Sequence, residues 1–294
     1  MIKLLFYTEN NWAFGAIHRS LCRHLFKYGI YADILSWENH YSDYEFSCMN
    51  SSHDFFVTSP ESLGGLSKRG IPLEKIIIIA HGSESLNRAV ERFGEDIFNH
   101  IYKYAVINPQ LSELSQNLNI KRTPELVRVG IDADYFCSHP SKELKDLGYA
   151  GASQHILKNG KDCKRVHLIE KVSKQVGLPL ISPATKMPHI CMPGYYKTIT
   201  SLMIASSEET AGLPAMEAAA SGKLVLSTKV GYFNEGYGIQ LSMDEQTYIT
   251  EAVAALEKYK DPSLYTAACN KAQQYSRDYH DWSHYIESWV DLLN

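Results

Sequence analysis

Two glutamates eight residues apart, Glu209 and Glu217, lie in the stretch SSEETAGLPAMEAAASG at residues 206–222. The apolar run at 201–205 reads as a buried strand, and the small residues after Gly212 read as a helix that carries Glu217. Open α/β sheets bind ligands beyond the carboxyl ends of their strands, at the N-termini of the helices that follow. A carboxylate there suits the hydroxyl groups of a sugar or a ribose, because its oxygens accept several hydrogen bonds. Thr210, Ala211 and Gly212 offer backbone N–H groups that could cradle a diphosphate or sugar hydroxyls. Each residue also has a plainer reading. Glu217 could compensate the charge of a helix N-terminus, Glu209 could be an exposed loop carboxylate beside Glu208, and Gly212 could simply make a turn.

Other groups with chemistry stand elsewhere. Lys158, Lys161, Lys164 and Arg165 form a basic cluster ahead of a helix carrying Leu168 and Ile169. They would neutralise growing negative charge on a leaving group, or form a solvated basic face. His81 closes an apolar run at 76–80, where it could face a ligand or sit in an ordinary loop. The first loop carries Asn10, Asn11, Trp12 and Gly15. The histidines form no zinc pattern: His18 and His24 are six apart, and His280 and His284 are four apart without the H-E-x-x-H glutamate. The six cysteines contain no CxxC, so neither a zinc knuckle nor a redox pair is written here, and no metal is expected.

These groups need an α/β scaffold. Apolar runs at 3–8, 31–37, 54–58, 75–80, 104–107 and 126–129 read as strands, with helical spacing between several of them, as at Ile17, Leu21 and Leu25. Residues 38–52 give no clean period. The polar stretch SHPSKELK at 138–145 reads as a linker, after which the pattern restarts. Strands are expected at 149–153, 178–182, 201–205 and 223–228, and helices at 163–176, 213–220, 246–259, 262–277 and 282–293. The alternation predicts two α/β domains with largely parallel sheets, over 1–137 and 146–277, and a last helix over 278–294.

The 45% apolar content is ample for such cores. A net charge of −4 argues against a nucleic-acid partner. MIKLLFYTEN is too short an apolar run for a signal peptide, and no run reaches membrane-spanning length, which points to the cytoplasm. Peripheral contact with the inner membrane face stays open. The pairs Lys68–Arg69 and Lys121–Arg122 could serve it, although isolated basic pairs are ordinary surface.

Glu209-Thr210-Ala211-Gly212-Leu213-Pro214-Ala215-Met216-Glu217 resembles the E-x7-E signature of retaining glycosyltransferases of family 4, which have the GT-B fold. Val129-Gly130-Ile131-Asp132-Ala133-Asp134-Tyr135-Phe136 resembles that family's N-G-V-D-x-x-x-F segment, and Ile79-Ala80-His81-Gly82 its strand ending in H-G. The chain departs from the pattern in four places. Thr210-Ala211-Gly212 stands for G-F-G, and the first loop has one glycine where relatives have a pair. Gly151-Ala152-Ser153-Gln154 lacks an arginine, and Lys164-Arg165 stands nearest a lysine-glycine pair.

The resemblance implies two Rossmann-like domains facing across a cleft, with the C-terminal helix crossing back to the first. It implies transfer of a sugar from a UDP-sugar or GDP-sugar to a hydroxyl of a glycan or lipid-linked acceptor, as in surface-glycan (lipopolysaccharide or capsule) synthesis, with no cofactor required. Retention of anomeric configuration follows from the resemblance alone. Glu217 would hold the ribose, and Glu209 would lie by the donor sugar with His81 near it. Lys164, with Lys161 as second choice, would meet the diphosphate, as would Thr210, Ala211, Gly212 and Leu213. Asn11 and Gly15 would sit under the diphosphate or against the acceptor. Two rivals keep the same architecture: a sugar-nucleotide epimerase or hydrolase, and a non-catalytic protein that binds a sugar nucleotide or glycan.

Overall fold

The computed structural model describes residues 1–9, 13–140, 142–152, 154–157, 160–183 and 187–294. The chain divides into two compact units: Met1–Gly130 with Trp282–Asn294, and Ile131–Asp281.

Unit one is built on six strands, β1 (Ile2–Thr8), β2 (Ile30–Ser36), β3 (Phe55–Thr58), β4 (Ile76–Ala80), β5 (Lys103–Val106) and β6 (Glu125–Leu126). They lie in the order β2-β1-β3-β4-β5-β6, and every pairing is parallel. Strand β4, with sequence IIIIA, is buried at every residue, as a parallel strand covered on both faces must be. The strand order turns back between β1 and β3, and Tyr7 of β1 faces Leu35 on one side and Thr58 on the other. Such a reversal leaves a crevice outside the carboxyl ends of the strands.

Unit two is built on β7 (Leu147–Gly148), β8 (Leu180–Ile181), β9 (Ser201–Ile204), β10 (Leu224–Thr228) and β11 (Ile239–Leu241), in the order β11-β10-β9-β7-β8. All pairings are parallel, and the reversal falls between β7 and β9. Its core joins Leu168 and Val172 of helix Val166–Val176 to Met203, Leu226, Tyr248 and Tyr265. Asp244 and Asp261 accept from the first backbone N–H groups of helices Glu245–Lys258 and Pro262–Tyr279, which fixes where both begin.

Several elements differ from the sequence expectation. Residues 43–52, which gave no period, form a helix. Only Phe46 of it is buried, so the apolar pattern is nearly silent, and a Ser42–Glu45 capping box sets its start. The strand expected at 149–153 is the two-residue β7 at Leu147–Gly148. The helix expected from 163 begins at Val166, because Arg165 adopts a left-handed conformation. Strand β11 and the helix Met192–Thr198 were not expected. Ser138, in the polar stretch expected to be a linker, lies within unit two, where its hydroxyl donates to the Ser221 carbonyl at 2.7 Å.

The terminal helix Ile286–Leu293 follows a single 3₁₀ turn, Trp282–His284, within unit one. Trp289 is fully buried, and its indole N–H donates to the Arg128 carbonyl at 2.7 Å. Trp289→Ala is expected to destabilise unit one by about 3–5 kcal/mol, through the lost ring and the orphaned carbonyl. Urea unfolding followed by circular dichroism checks this; an unchanged midpoint contradicts it.

Candidate functional site

The carboxyl end of β9 brings several of unit two's candidate groups together. Just beyond it, Glu209 Oε1 accepts from Lys164 Nζ at 2.5 Å and from Ser206 Oγ at 2.8 Å. Both charged side chains are about four-fifths buried, at 20% and 22% exposure, so their attraction is only partly screened by water. Glu209 Oε2 takes no hydrogen bond among the described residues. Burial, and then the negative charge of Glu209, push the phenol of Tyr149 up from its ordinary value.

Backbone tethers hold this pair. Ser207 N–H donates to the Cys163 carbonyl at 2.8 Å. Arg165 is buried, and it donates through Nε to the Ala205 carbonyl at 2.6 Å and through Nη1 to the Met243 carbonyl at 2.8 Å. Its Nη2 is buried without a partner among the described residues. Arg165 adopts φ +48°, the region in which a glycine sits without steric cost. Asp162 accepts from the backbone of Lys164 at 3.0 Å and of His155 at 2.9 Å; desolvation pushes its carboxyl up, but the backbone bonds together outweigh it and hold the carboxyl below the usual range.

The turn after Glu209 is equally constrained. Gly212 adopts φ +74° and leads into helix Leu213–Ala220, with Pro214 in its first turn. The Ala211 carbonyl accepts from Tyr232 N–H at 3.0 Å. Gly231 presses against that turn at φ +60°, and a Cβ there would lie 2.6 Å from the Ala211 carbonyl carbon. Thr228 Oγ1 donates to the Ser206 carbonyl at 2.6 Å, fastening the ends of β9 and β10 together.

Glu217 lies on the same helix, only 3% exposed. Its Oε1 meets His189 Nε2 at 2.6 Å, and its Oε2 accepts from Tyr196 OH at 2.7 Å. Burial, and then the charge of Glu217, push the Tyr196 phenol well above its ordinary value, so it stays protonated and donates. The edge of Phe136 packs against both partners.

In unit one, His81 follows β4 and is 3% exposed. Neither ring nitrogen has a hydrogen-bond partner among the described residues, and burial brings its pKa down to about 3. The rings of Phe14 and His18 lie 4.7 Å and 5.6 Å from it. His18 is equally buried, and desolvation holds it well below its ordinary value. Gly15 is buried within helix Ala13–Leu25, and its N–H donates to Glu9 Oε1 at 2.9 Å. Lys161 is exposed, and its carbonyl accepts from Leu157 N–H at 2.9 Å. Asn10, Asn11, Trp12, Ser153 and Lys158 lie outside the described residues.

Lys164 and Glu209, 45 residues apart in the chain, are thus brought together, and Thr210 to Leu213 continue directly from the pair. Sequence reasoning missed the partners His189 and Tyr196, the Ser206 hydroxyl, and Gly231. His189 and Tyr196 sit in PHICMPGYY, which carries no recognisable spacing. Gly231 could have been flagged only by knowing what it packs against. Among the described residues, no group of three or more His, Cys, Asp or Glu could hold a metal ion, and no helix is long and apolar enough to cross a membrane.

Two outcomes follow. Gly231→Ala is expected to cost about 1–3 kcal/mol, through its left-handed backbone and its clash with the 211–212 turn; an unchanged thermal midpoint for unit two contradicts this. Unit one should also lose stability as pH falls from about 6.5 toward 3. His81 stays neutral in the folded chain down to about pH 3, whereas the unfolded chain takes up its proton near pH 6.5, so acid favours unfolding. Urea midpoints measured across that window should depend less steeply on pH in His81→Gln, and an equal slope contradicts the reading.

No protein-family model matches the chain, and no curated protein matches its sequence. Solved structures do match it. Sucrose-phosphate synthase from Thermosynechococcus elongatus superposes with a TM-score of 0.69 at 12% identity, covering 99% of this chain and 98% of that one. The catalytic domain of Starch Synthase IV from Arabidopsis thaliana, bound to ADP and acarbose, gives 0.69 at 13% identity over 100% and 98%. Anabaena HepE in complex with UDP and glucose gives 0.65 at 13% identity over 100% and 99%. At such identities the likeness is one of fold, and the fold is GT-B, with two Rossmann-like parallel-sheet units in one chain.

Proposed function

We propose that the chain is a retaining glycosyltransferase that moves a sugar from a nucleoside-diphosphate sugar to a hydroxyl of a glycan or lipid-linked acceptor. The observation that carries this is the Lys164–Glu209 pair at the carboxyl end of β9, beside the reversal of strand order in unit two. Sheets of this kind take up nucleotides at that place. The similar structures with UDP and with ADP support a nucleoside diphosphate as leaving group.

In this reading the bond between the sugar's anomeric carbon and the phosphate oxygen breaks, and its electron pair leaves with the diphosphate. The Lys164 ammonium neutralises the charge that builds there, with Lys161 nearby in sequence and the N–H groups of Thr210, Ala211, Gly212 and Leu213 as further donors. Glu209 orients the sugar and stabilises positive charge at the anomeric carbon through its open Oε2. The acceptor oxygen forms the new bond, and its proton passes to the departing phosphate oxygen, so no separate base is needed. His81, neutral at working pH, serves as a hydrogen-bonding partner of the sugar. Gly15, which the structure places in helix Ala13–Leu25 rather than in the loop expected from the sequence, and Asn11 are assigned to contact with diphosphate or acceptor.

Glu217 is assigned to the ribose. Its oxygens already bind His189 and Tyr196, but a carboxylate oxygen accepts two bonds, which leaves capacity for both ribose hydroxyls once the His189 ring shifts. The enclosure of Glu217 also gives a specific reason to weigh a non-catalytic reading, in which that carboxylate serves packing alone.

Radiolabelled UDP- and GDP-sugars, offered with extracted glycan and lipid-linked acceptors, test the proposal. Glu209→Gln should keep donor binding within about threefold and lower kcat about 10²–10³-fold. Glu217→Ala should weaken nucleotide binding. Binding without transfer in the wild-type protein would favour the non-catalytic reading, and unchanged turnover in Glu209→Gln would remove that residue from the reaction.

A further inference from the structure

Unit one holds an open cavity of about 370 Å³ that plays no part in the chemistry above. It lies by the carboxyl halves of three strands: Tyr7 comes from β1, Trp37 directly follows β2, and Glu61, Lys68 and Arg69 come from the segment after β3. That is the reversal point of the first sheet, where open α/β folds leave room for a ligand. Arg92, from helix Ser83–Phe93, completes the lining.

The charge of this lining runs against that of the chain. Three cations face one carboxylate, in a protein whose net charge is −4. Glu61 neutralises none of the three at short range, since its ion pair goes to Arg88 at 4.0 Å. Lys68 and Arg92 make no ion pair among the described residues. Arg69 is fixed without a carboxylate, donating to the Tyr41 carbonyl at 2.9 Å and lying 4.4 Å over the Phe46 ring. Tyr7 and Trp37 meet edge to face at 6.0 Å, so two nearly perpendicular aromatic rings form an apolar corner beside the positive charge. Gly65 leaves room beside the Tyr7 ring: a Cβ there would lie 3.3 Å from it. Burial pushes the Tyr7 phenol up from its ordinary value, so it remains a hydrogen-bond donor at neutral pH.

Aromatic rings take the C–H face of a sugar, guanidinium and ammonium groups take phosphate or carboxylate oxygens, and a carboxylate takes hydroxyls. We propose that this cavity is a binding site for an anionic saccharide, a sugar bearing phosphate or carboxylate. Its anion would meet Lys68, Arg69 and Arg92, its ring would lie on Trp37 with the Tyr7 ring beside it, and a hydroxyl would meet Glu61.

Isothermal titration of the full chain, without any nucleotide, tests this independently of whether Lys164 and Glu209 hold a donor. The ligands are glucose 6-phosphate, glucuronate, glucose and inorganic phosphate; the first two separate the two sources of negative charge. At least one anionic sugar should bind ten times more tightly than glucose and than phosphate, with quenching of Trp37 fluorescence that Trp37→Phe abolishes. Lys68→Ala/Arg92→Ala should weaken that binding at least tenfold, while Arg69, which is built into the fold, is left in place. Circular dichroism checks that the double variant folds, and Lys68→Gln replaces it if it does not. Three results would overturn the proposal: no binding of either anionic sugar up to about 10 mM, phosphate binding as tightly as the sugar phosphate, or affinity that survives the substitutions.

Discussion

The contact between Lys164 and Glu209 is the constraint around which unit two is arranged. A carboxylate and an ammonium held four-fifths out of water give up much of their hydration. They repay it through mutual attraction, the Ser206 hydroxyl and a framework that keeps both in place. Cys163 and Ala205 supply backbone carbonyls to Ser207 and Arg165, so the segments after β7 and β9 are tied by more than the ion pair itself. The cation is thereby positioned before any ligand arrives, which is the condition for electrostatic stabilisation without reorganisation.

The same framework explains two oddities of local conformation. Arg165 tolerates a left-handed backbone because its guanidinium spans two carbonyls from separate strand ends, Ala205 beyond β9 and Met243 beyond β11. Gly231 is confined by the Ala211–Gly212 turn, which must lie close to the 230–232 backbone for Tyr232 to reach the Ala211 carbonyl. Glu217 shows the other side of this packing. It is itself buried, bonded to buried Tyr196 and to the partly exposed His189 rather than presented openly.

Long apolar runs made strands of both sheets readable. Ile76–Ala80 of unit one is four isoleucines and an alanine, Leu224–Thr228 of unit two opens on Leu-Val-Leu, and the structure places strands there within a residue of the expectation. Two-residue strands such as β7 and β8 were misplaced or overextended, because so short a pairing leaves no periodic trace. The helix Asp43–Ser52 was invisible for a different reason: it rests on a capping box and one buried phenylalanine, not on an apolar stripe. In the candidate site, the spacing of Glu209 and Glu217 and the cluster around Lys164 could be seen in the sequence. That Lys164 meets Glu209, and that His189 and Tyr196 enclose Glu217, depends on contacts between segments distant in the chain, which local pattern does not encode.

The most direct test of the central claim is the affinity of UDP and GDP for the wild-type chain and for Lys164→Ala, measured by isothermal titration. A cation positioned to neutralise a diphosphate predicts that the preferred nucleotide binds the wild type and loses at least about tenfold, roughly 1.4 kcal/mol, in the variant. Equal affinity in the two proteins, with the variant folded, would contradict the assignment of the Lys164–Glu209 pair to the donor site.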